Sequence, residues 1–158
     1  PKFVLARVQG KAVGGGVGLA SAADYTLATI NSSVKLSELA VGIGPFVVGP
    51  AVARKIGNAA FQQLAINASE WQTAGWALSK GLYASVYDTI EELDRGVMEL
   101  ATKLSQSNPE AMQFLKRISW EGTEHWDELL TERAAISGQL VLSDFTRNAI
   151  AKFKSGSR

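Results

Sequence analysis

The chain has 158 residues, which is long enough for one domain with a hydrophobic core of its own. Its 46% hydrophobic and 20% charged residues are typical of a globular protein in water, and a net charge of +1 with dispersed basic residues gives no reason to expect nucleic acid. One histidine and no cysteine exclude histidine-rich metal sites and disulfides. No apolar run reaches the ~18 residues of a membrane span. We therefore predict a cytoplasmic protein without metal or membrane partner.

Short strands and one helix of small residues dominate the first part of the chain. The apolar run FVLARV predicts a buried strand over residues 3–8, and glycines then open a helix over 16–23. Two further strands are predicted over 24–28 and 34–36, on either side of the turn-forming sequence Asn31-Ser32-Ser33. Strands around a helix indicate an α/β fold.

Helices dominate the rest of the chain. A helix that begins at Pro50 should end at Gly57, and a second should follow over 59–66. Ser69 is predicted to cap a helix over 70–79, before a strand over 82–87. Four later helices are predicted to begin at Asp88 (with Asp88-x-x-Glu91 as a capping box), Asn108-Pro109, Trp126 and Asp144.

This order of elements predicts two regions. Residues 1–87 form an α/β core, and residues 88–158 form a helical region. So few strands would leave sheet edges and one sheet face without partners. We therefore expect the core to lack strands that precede residue 1.

The pattern with the most chemical content combines Gly14-Gly15-Gly16 with an isolated carboxylate, Glu38. Consecutive glycines at a helix start let backbone N–H groups approach a ligand oxygen, and they point the positive end of the helix dipole at it. A carboxylate nearby could then move a proton next to a developing oxyanion. The alternatives are close packing of a helix on a strand for the glycines and an exposed strand end for Glu38.

Residues 8–57 resemble the enoyl-CoA hydratase/isomerase family, or crotonase superfamily. The resemblance lies in the order and spacing of several motifs, and the stretch from Ala74 to Leu82 and the helical tail also fit, so it covers nearly the whole chain. The motifs are Val8-Gln9-Gly10-Lys11-Ala12-Val13-Gly14-Gly15-Gly16, Asp24-Tyr25, Ser37-Glu38, Gly42-Ile43-Gly44-Pro45 and Lys55-Ile56-Gly57.

The resemblance implies a partial crotonase-like ββα spiral followed by a helical C-terminal trimerisation layer. It implies that the N–H of Gly15 supplies half of an oxyanion hole for a thioester carbonyl, and that Glu38 is the catalytic acid and base. The second N–H donor belongs to the family's N-terminal half, so this chain alone is expected to be inactive. It also implies an acyl-CoA substrate, no cofactor beyond that coenzyme A, and a homotrimer or hexamer.

Further residues take roles from the same resemblance. Phe153 and Lys154 match a terminal region that contacts coenzyme A, and the substrate-binding positions are Gly14, Gly18, Ser37, Gly42, Pro45 and Phe46. Gly18 stands where two-glutamate hydratases have their other glutamate, so hydration in that form is in doubt. A single-glutamate hydratase of 2-enoyl-CoA thioesters is favoured. An enoyl-CoA double-bond isomerase and a non-catalytic part that keeps only assembly or coenzyme A surfaces are the alternatives.

Overall fold

The computed structural model describes residues 2–155, apart from the side chains of residues 153 and 154. The α/β fold predicted from the sequence is confirmed: short strands and one helix come first, and long helices follow. The strands are β1 (Leu5–Val8), β2 (Lys11–Val13), β3 (Tyr25–Thr29), β4 (Ser33–Lys35), β5 (Gln72–Thr73) and β6 (Ser85–Tyr87). The α-helices are α1 (Gly15–Ala22), α2 (Gly49–Ile66), α3 (Ala74–Ser79), α4 (Ile90–Ser105), α5 (Pro109–Ser119), α6 (Trp126–Val141) and α7 (Asp144–Ser155), and a 3₁₀ turn spans Leu39–Val41.

The strands form two small sheets that the chain visits in turn. One sheet has the order β1-β3-β6 with all strands parallel, and the other has the order β2-β4-β5, in which β2 and β4 are parallel. The first four strands alternate between the two sheets, so the chain advances as a spiral that adds a strand to each sheet per turn. Helix α1 makes the crossover from β2 to β3.

The hydrophobic core lies between the sheets and the helices α1, α2 and α3. Val17, Val34, Leu36 and Val52 are fully buried in it. The small residues of α1 allow this helix to approach its neighbours closely, and it packs mainly against α2. This packing fixes the start of α1, where the glycine run lies.

The two helices predicted on either side of Gly57 are confirmed: Gly57 has non-helical backbone angles, with φ of +79° and ψ of 158°, and divides the helical segment 49–66 in two. The helix predicted over 70–79 from a Ser69 cap is wrong: Gln72 and Thr73 form β5, paired with β4, and α3 begins only afterwards. The side chain of Thr73 accepts the hydrogen bond from the Trp76 amide that caps α3.

The capping box of α4 lies one residue later than predicted. Thr89, not Asp88, caps the helix, and Glu92 returns the bond to the Thr89 amide. The predicted cap at Asn108 is confirmed, since its side chain accepts from the amides of Glu110 and Ala111. Within residues 2–155, the structure has no helix that is both long and apolar enough to cross a membrane.

Candidate active site

The glycine run and Glu38 meet because two neighbouring parallel strands end side by side. Val13, the last residue of β2, pairs with Lys35, the last residue of β4. The Gly14 amide continues this pairing by donating to the Lys35 carbonyl at 2.9 Å. Carboxyl ends of parallel strands are common places for ligand sites, because the segments that leave them share one edge.

Gly14 has a backbone conformation and a neighbour that only glycine accommodates. Its φ of +52° and ψ of −113° are rarely adopted by L side chains. A Cβ at this position would lie 2.8 Å from Glu38 Oε1. Because a backbone nitrogen lies less than about 4 Å from the Cβ of the preceding residue, Glu38 Oε1 lies within about 7 Å of the Gly15 amide nitrogen. The carboxylate therefore lies directly beside the turn that opens α1.

The carboxyl group of Glu38 is half-buried and poorly hydrogen-bonded. Its Oε2 atom is buried, and it has no hydrogen-bond partner in the part of the chain that the structure describes. Burial raises the pKa of Glu38 above its ordinary value, and a hydrogen bond from its own backbone amide offsets only part of this effect. A carboxyl group with a raised pKa is suited to accept and return a proton near neutral pH.

Two backbone hydrogen bonds fix the position of the Glu38 carbonyl group in the turn that follows it. The Glu38 carbonyl accepts from the amides of Val41 and Ile43 at 3.2 and 3.0 Å, which closes the 3₁₀ turn. Gly42 ends this turn with a φ of +83°. A Cβ at Gly42 would lie 2.7 Å from Thr146 Oγ1 and would also meet the ring of Phe145, so α7 packs directly on the turn.

The amide of Gly15 is available to a ligand. Gly15 is the first residue of α1, so its N–H has no acceptor within the helix and lies at the positive end of the helix dipole. The residue is exposed, and open space surrounds the position of a Cβ there. Gly15 also lines a groove of about 320 Å³ whose other walls are mainly apolar: Gly18, Leu19, Ala22, Val47, Val48, Ala51, Trp120, Trp126 and Leu130.

Gly18 leaves no room for a second acidic side chain. It is buried, and a Cβ there would lie 2.7 Å from Val48 Cγ1 and 2.9 Å from Val48 Cβ. Val48 was not singled out from the sequence, and its only signal is the position just before the Gly49-Pro50 helix start. The carboxylate that lies against this glycine turn is that of Glu38.

The other predicted site residues are spread around this point. Ser37 is half-buried and lines a different groove, of about 800 Å³. Pro45 is buried, and the ring of half-buried Phe46 lies against Gly44. The predicted coenzyme A contacts of Phe153 and Lys154 concern side chains outside the described residues. Over residues 2–155, no three histidine or acidic side chains lie close enough together to hold a metal ion.

Comparison with solved structures defines the class of fold. The structure is similar to that of an enoyl-CoA hydratase from Mycobacterium avium, with a TM-score of 0.87 and 24% sequence identity over 96% of this chain and 59% of that one. This likeness shows a crotonase fold. The sequence profile of the enoyl-CoA hydratase/isomerase family matches residues 1–153, so the chain belongs to that family.

Two curated relatives of this chain have different names and activities. The carnitinyl-CoA dehydratase of Salmonella arizonae is 37% identical over 118 residues, which cover 75% of this chain and 45% of the relative. The human mitochondrial Delta(3,5)-Delta(2,4)-dienoyl-CoA isomerase is 31% identical over 118 residues, covering 73% of this chain and 36% of the relative. The chain thus spans about half the length of the curated relatives it matches, or less.

Proposed function

We propose that this chain carries the acid–base half of the active site of an enoyl-CoA hydratase that acts on 2-enoyl-CoA thioesters. In this proposal the N–H of Gly15 donates to the thioester oxygen as negative charge develops there. Glu38 accepts a proton from the water whose oxygen bonds to C3, and it returns a proton to C2. One such donor contributes about 2.7–4 kcal/mol of transition-state stabilisation. The coenzyme A belongs to the substrate, and no further cofactor is needed in this mechanism.

The observation that carries the proposal is the buried Oε2 atom of Glu38, which has no hydrogen-bond partner among the described residues, beside the Gly14–Gly15 turn. A Cβ at Gly14 would lie 2.8 Å from Oε1 of the same carboxyl group, so that position could not accept a side chain. Its burial raises its pKa, which brings the proton affinity of the carboxyl group closer to that needed at neutral pH. A carboxylate with only a structural role would be expected to have hydrogen-bond donors around it.

The test is the Glu38→Gln variant of the whole protein, assayed with crotonyl-CoA. Loss of the acid–base group should lower kcat by about 10²–10⁴-fold, and the protein should remain folded because glutamine has nearly the same shape. Glu99→Gln, an exposed glutamate on α4, is the matched control and should retain activity. Activity of Glu38→Gln within a few-fold of the wild type would remove Glu38 from the mechanism.

A double-bond isomerase is the second candidate, favoured by the packing at Gly18. Val48 fills the space at that position, so no second carboxylate can stand there, and one carboxylate is enough to carry a proton from one carbon to another. A 3-enoyl-CoA substrate distinguishes the two: an isomerase creates conjugation with the thioester, whereas a hydratase removes it from crotonyl-CoA. If neither thioester reacts with the whole protein, only an assembly or binding role is left.

The groove beside Gly15 suggests where an acyl chain would lie. Its apolar walls begin at the proposed oxyanion donor and end at Trp120 and Trp126, whose ring centres are 5.9 Å apart in an edge-to-face arrangement. Such walls suit a hydrocarbon chain and exclude water from the reacting carbons.

A trimeric or hexameric assembly and a cytoplasmic location remain predictions, and light scattering of the purified protein would test the assembly.

A further inference from the structure

The outer face of the β2-β4-β5 sheet carries two lysines on one tryptophan ring. Lys11 Nζ lies 4.9 Å and Lys35 Nζ lies 4.6 Å from the centre of the Trp71 ring. The register of the strands explains this arrangement. Val13 pairs with Lys35, and Lys11 is two residues before Val13, so both lysines lie on the same face of the sheet. Trp71 directly precedes Gln72, which pairs with Val34, the neighbour of Lys35 in β4. Lys11 lies in β2, Lys35 lies in β4 and Trp71 directly precedes β5, so the fold alone brings the three residues together.

These two lysines have no anionic partner in the structure as described. Over residues 2–155, the ion pairs involve Arg7, Lys116 and Arg147 instead. The two ammonium nitrogens are both within 5 Å of one ring centre, so they lie closer to each other than a Debye length of about 10 Å and repel each other. An anion bound between them would relieve that repulsion.

The same face opens into a cavity that fits more than a simple ion. Lys35 and Trp71 line the groove of about 800 Å³, together with Lys152 of α7. The hydroxyl-bearing residues Ser37 and Ser69 also line it, and the remaining walls are apolar alanine and valine side chains. Such a groove suits a ligand with an anionic end and an organic body.

We propose that the groove over Trp71 binds an organic phosphate, with the phosphate held by Lys11 and Lys35. Lysine serves as a point charge for phosphate oxygens. The indole ring attracts both ammonium groups, and it thereby holds Lys11, which does not itself line the groove, near Lys35. The ligand has two possible sources: the phosphate end of a coenzyme A thioester, or a separate nucleotide. The first source rests on the proposed function, and it is compatible with the groove because Ser37, next to Glu38 in the chain, lines it.

The test measures binding to the whole protein by calorimetry, with adenosine 3′,5′-bisphosphate and coenzyme A as probes. We expect the double variant Lys11→Met and Lys35→Met to bind both probes at least about tenfold more weakly, since hydrogen bonds to charged groups are among the stronger ones. Affinity for the wild type should also fall as salt rises. Lys103→Met, an exposed lysine of α4, is the matched control and should bind as the wild type does.

Three results would overturn the proposal: equal affinities of the double variant and the wild type, no binding of the bisphosphate to the wild type, or equal binding of coenzyme A and phosphate-free pantetheine. Competition between the bisphosphate and the thioester substrate would identify the substrate as the source, and binding without competition would identify a separate nucleotide. The chemistry at Glu38 is tested independently with a pantetheine thioester of crotonic acid, which carries no phosphate. Failure of the phosphate site and failure of the proposed reaction are thus distinguishable.

Discussion

Replacement of Gly14 by alanine is the sharpest structural test of the site. The variant adds one methyl group at a φ of +52°, and it places that methyl 2.8 Å from Glu38 Oε1. A non-glycine residue in such a sparsely populated region costs about 1–3 kcal/mol, and the close contact adds to this. We expect a loss of about 2–3 kcal/mol in the free energy of unfolding, or roughly 4–12 °C in Tm for a chain of this size.

The control for this variant is Gly16→Ala, two residues along. A Cβ at Gly16 would lie 3.7 Å from Ala12 Cβ, an ordinary contact, and alanine is the better helix former by up to about 1 kcal/mol. Urea unfolding of Gly16→Ala should therefore show no loss of stability. Adding Glu38→Ala to Gly14→Ala separates the two terms, because it removes the contact and leaves the backbone strain. If Gly14→Ala were as stable as Gly16→Ala, the described geometry of the turn would be refuted.

The remaining predictions concern two carboxylates and one tight contact. Because burial raises the pKa of Glu38, ionisation of this side chain disfavours the folded state. Glu38→Gln should therefore stabilise the protein at neutral pH. In urea titrations, this gain in the free energy of unfolding should vanish below about pH 4.5, where the carboxyl group is protonated in both states. Asp24→Asn should lower the free energy of unfolding by about 3 kcal/mol at neutral pH, because it breaks the largely buried ion pair with Lys116. The control is Asp144→Asn, which breaks an exposed ion pair with Arg147 and should lower it by less than about 1 kcal/mol. Gly18→Ala should cost about 1–3 kcal/mol through its clash with Val48, and Val48→Ala in the same chain should recover part of that loss.

Helix starts that depend on residues close together in the sequence were predicted correctly or to within one residue. The Asn108-Pro109 start of α5 was predicted correctly because one side chain accepts two nearby amides and the proline has no N–H to satisfy. The start of α4 was predicted one residue early because Asp88 and Thr89 are both good capping residues, and the sequence does not show which of them the helix uses. Such errors of one residue leave the fold unchanged.

Features that depend on contacts between distant parts of the chain were harder to predict from local sequence patterns. Gln72 and Thr73 join a strand only because Ser33 and Val34 lie beside them, and nothing near residue 72 in the sequence indicates that pairing. The proximity of Glu38 to Gly14 was expected from the family resemblance, and it depends on the register of β2 with β4. The position of Val48 over Gly18 could not be predicted from the sequence, because it depends on how closely α1 approaches the start of α2.

Asp24 and Glu38 are both partly buried, yet the fold treats the two carboxylates in opposite ways. Burial alone would raise the pKa of Asp24, but Lys116 at 2.5 Å, the Trp120 indole and the Val4 amide donate to it, and together they lower its pKa below the ordinary value. For Glu38 the only hydrogen bond from the described residues that lowers the pKa comes from its own backbone amide, so burial decides the direction and its pKa rises. A carboxylate surrounded by donors holds its charge and ties β3 to α5, whereas one without them exchanges a proton readily. Of these two carboxylates, the one suited to proton transfer is therefore Glu38, which lies beside the turn that opens α1.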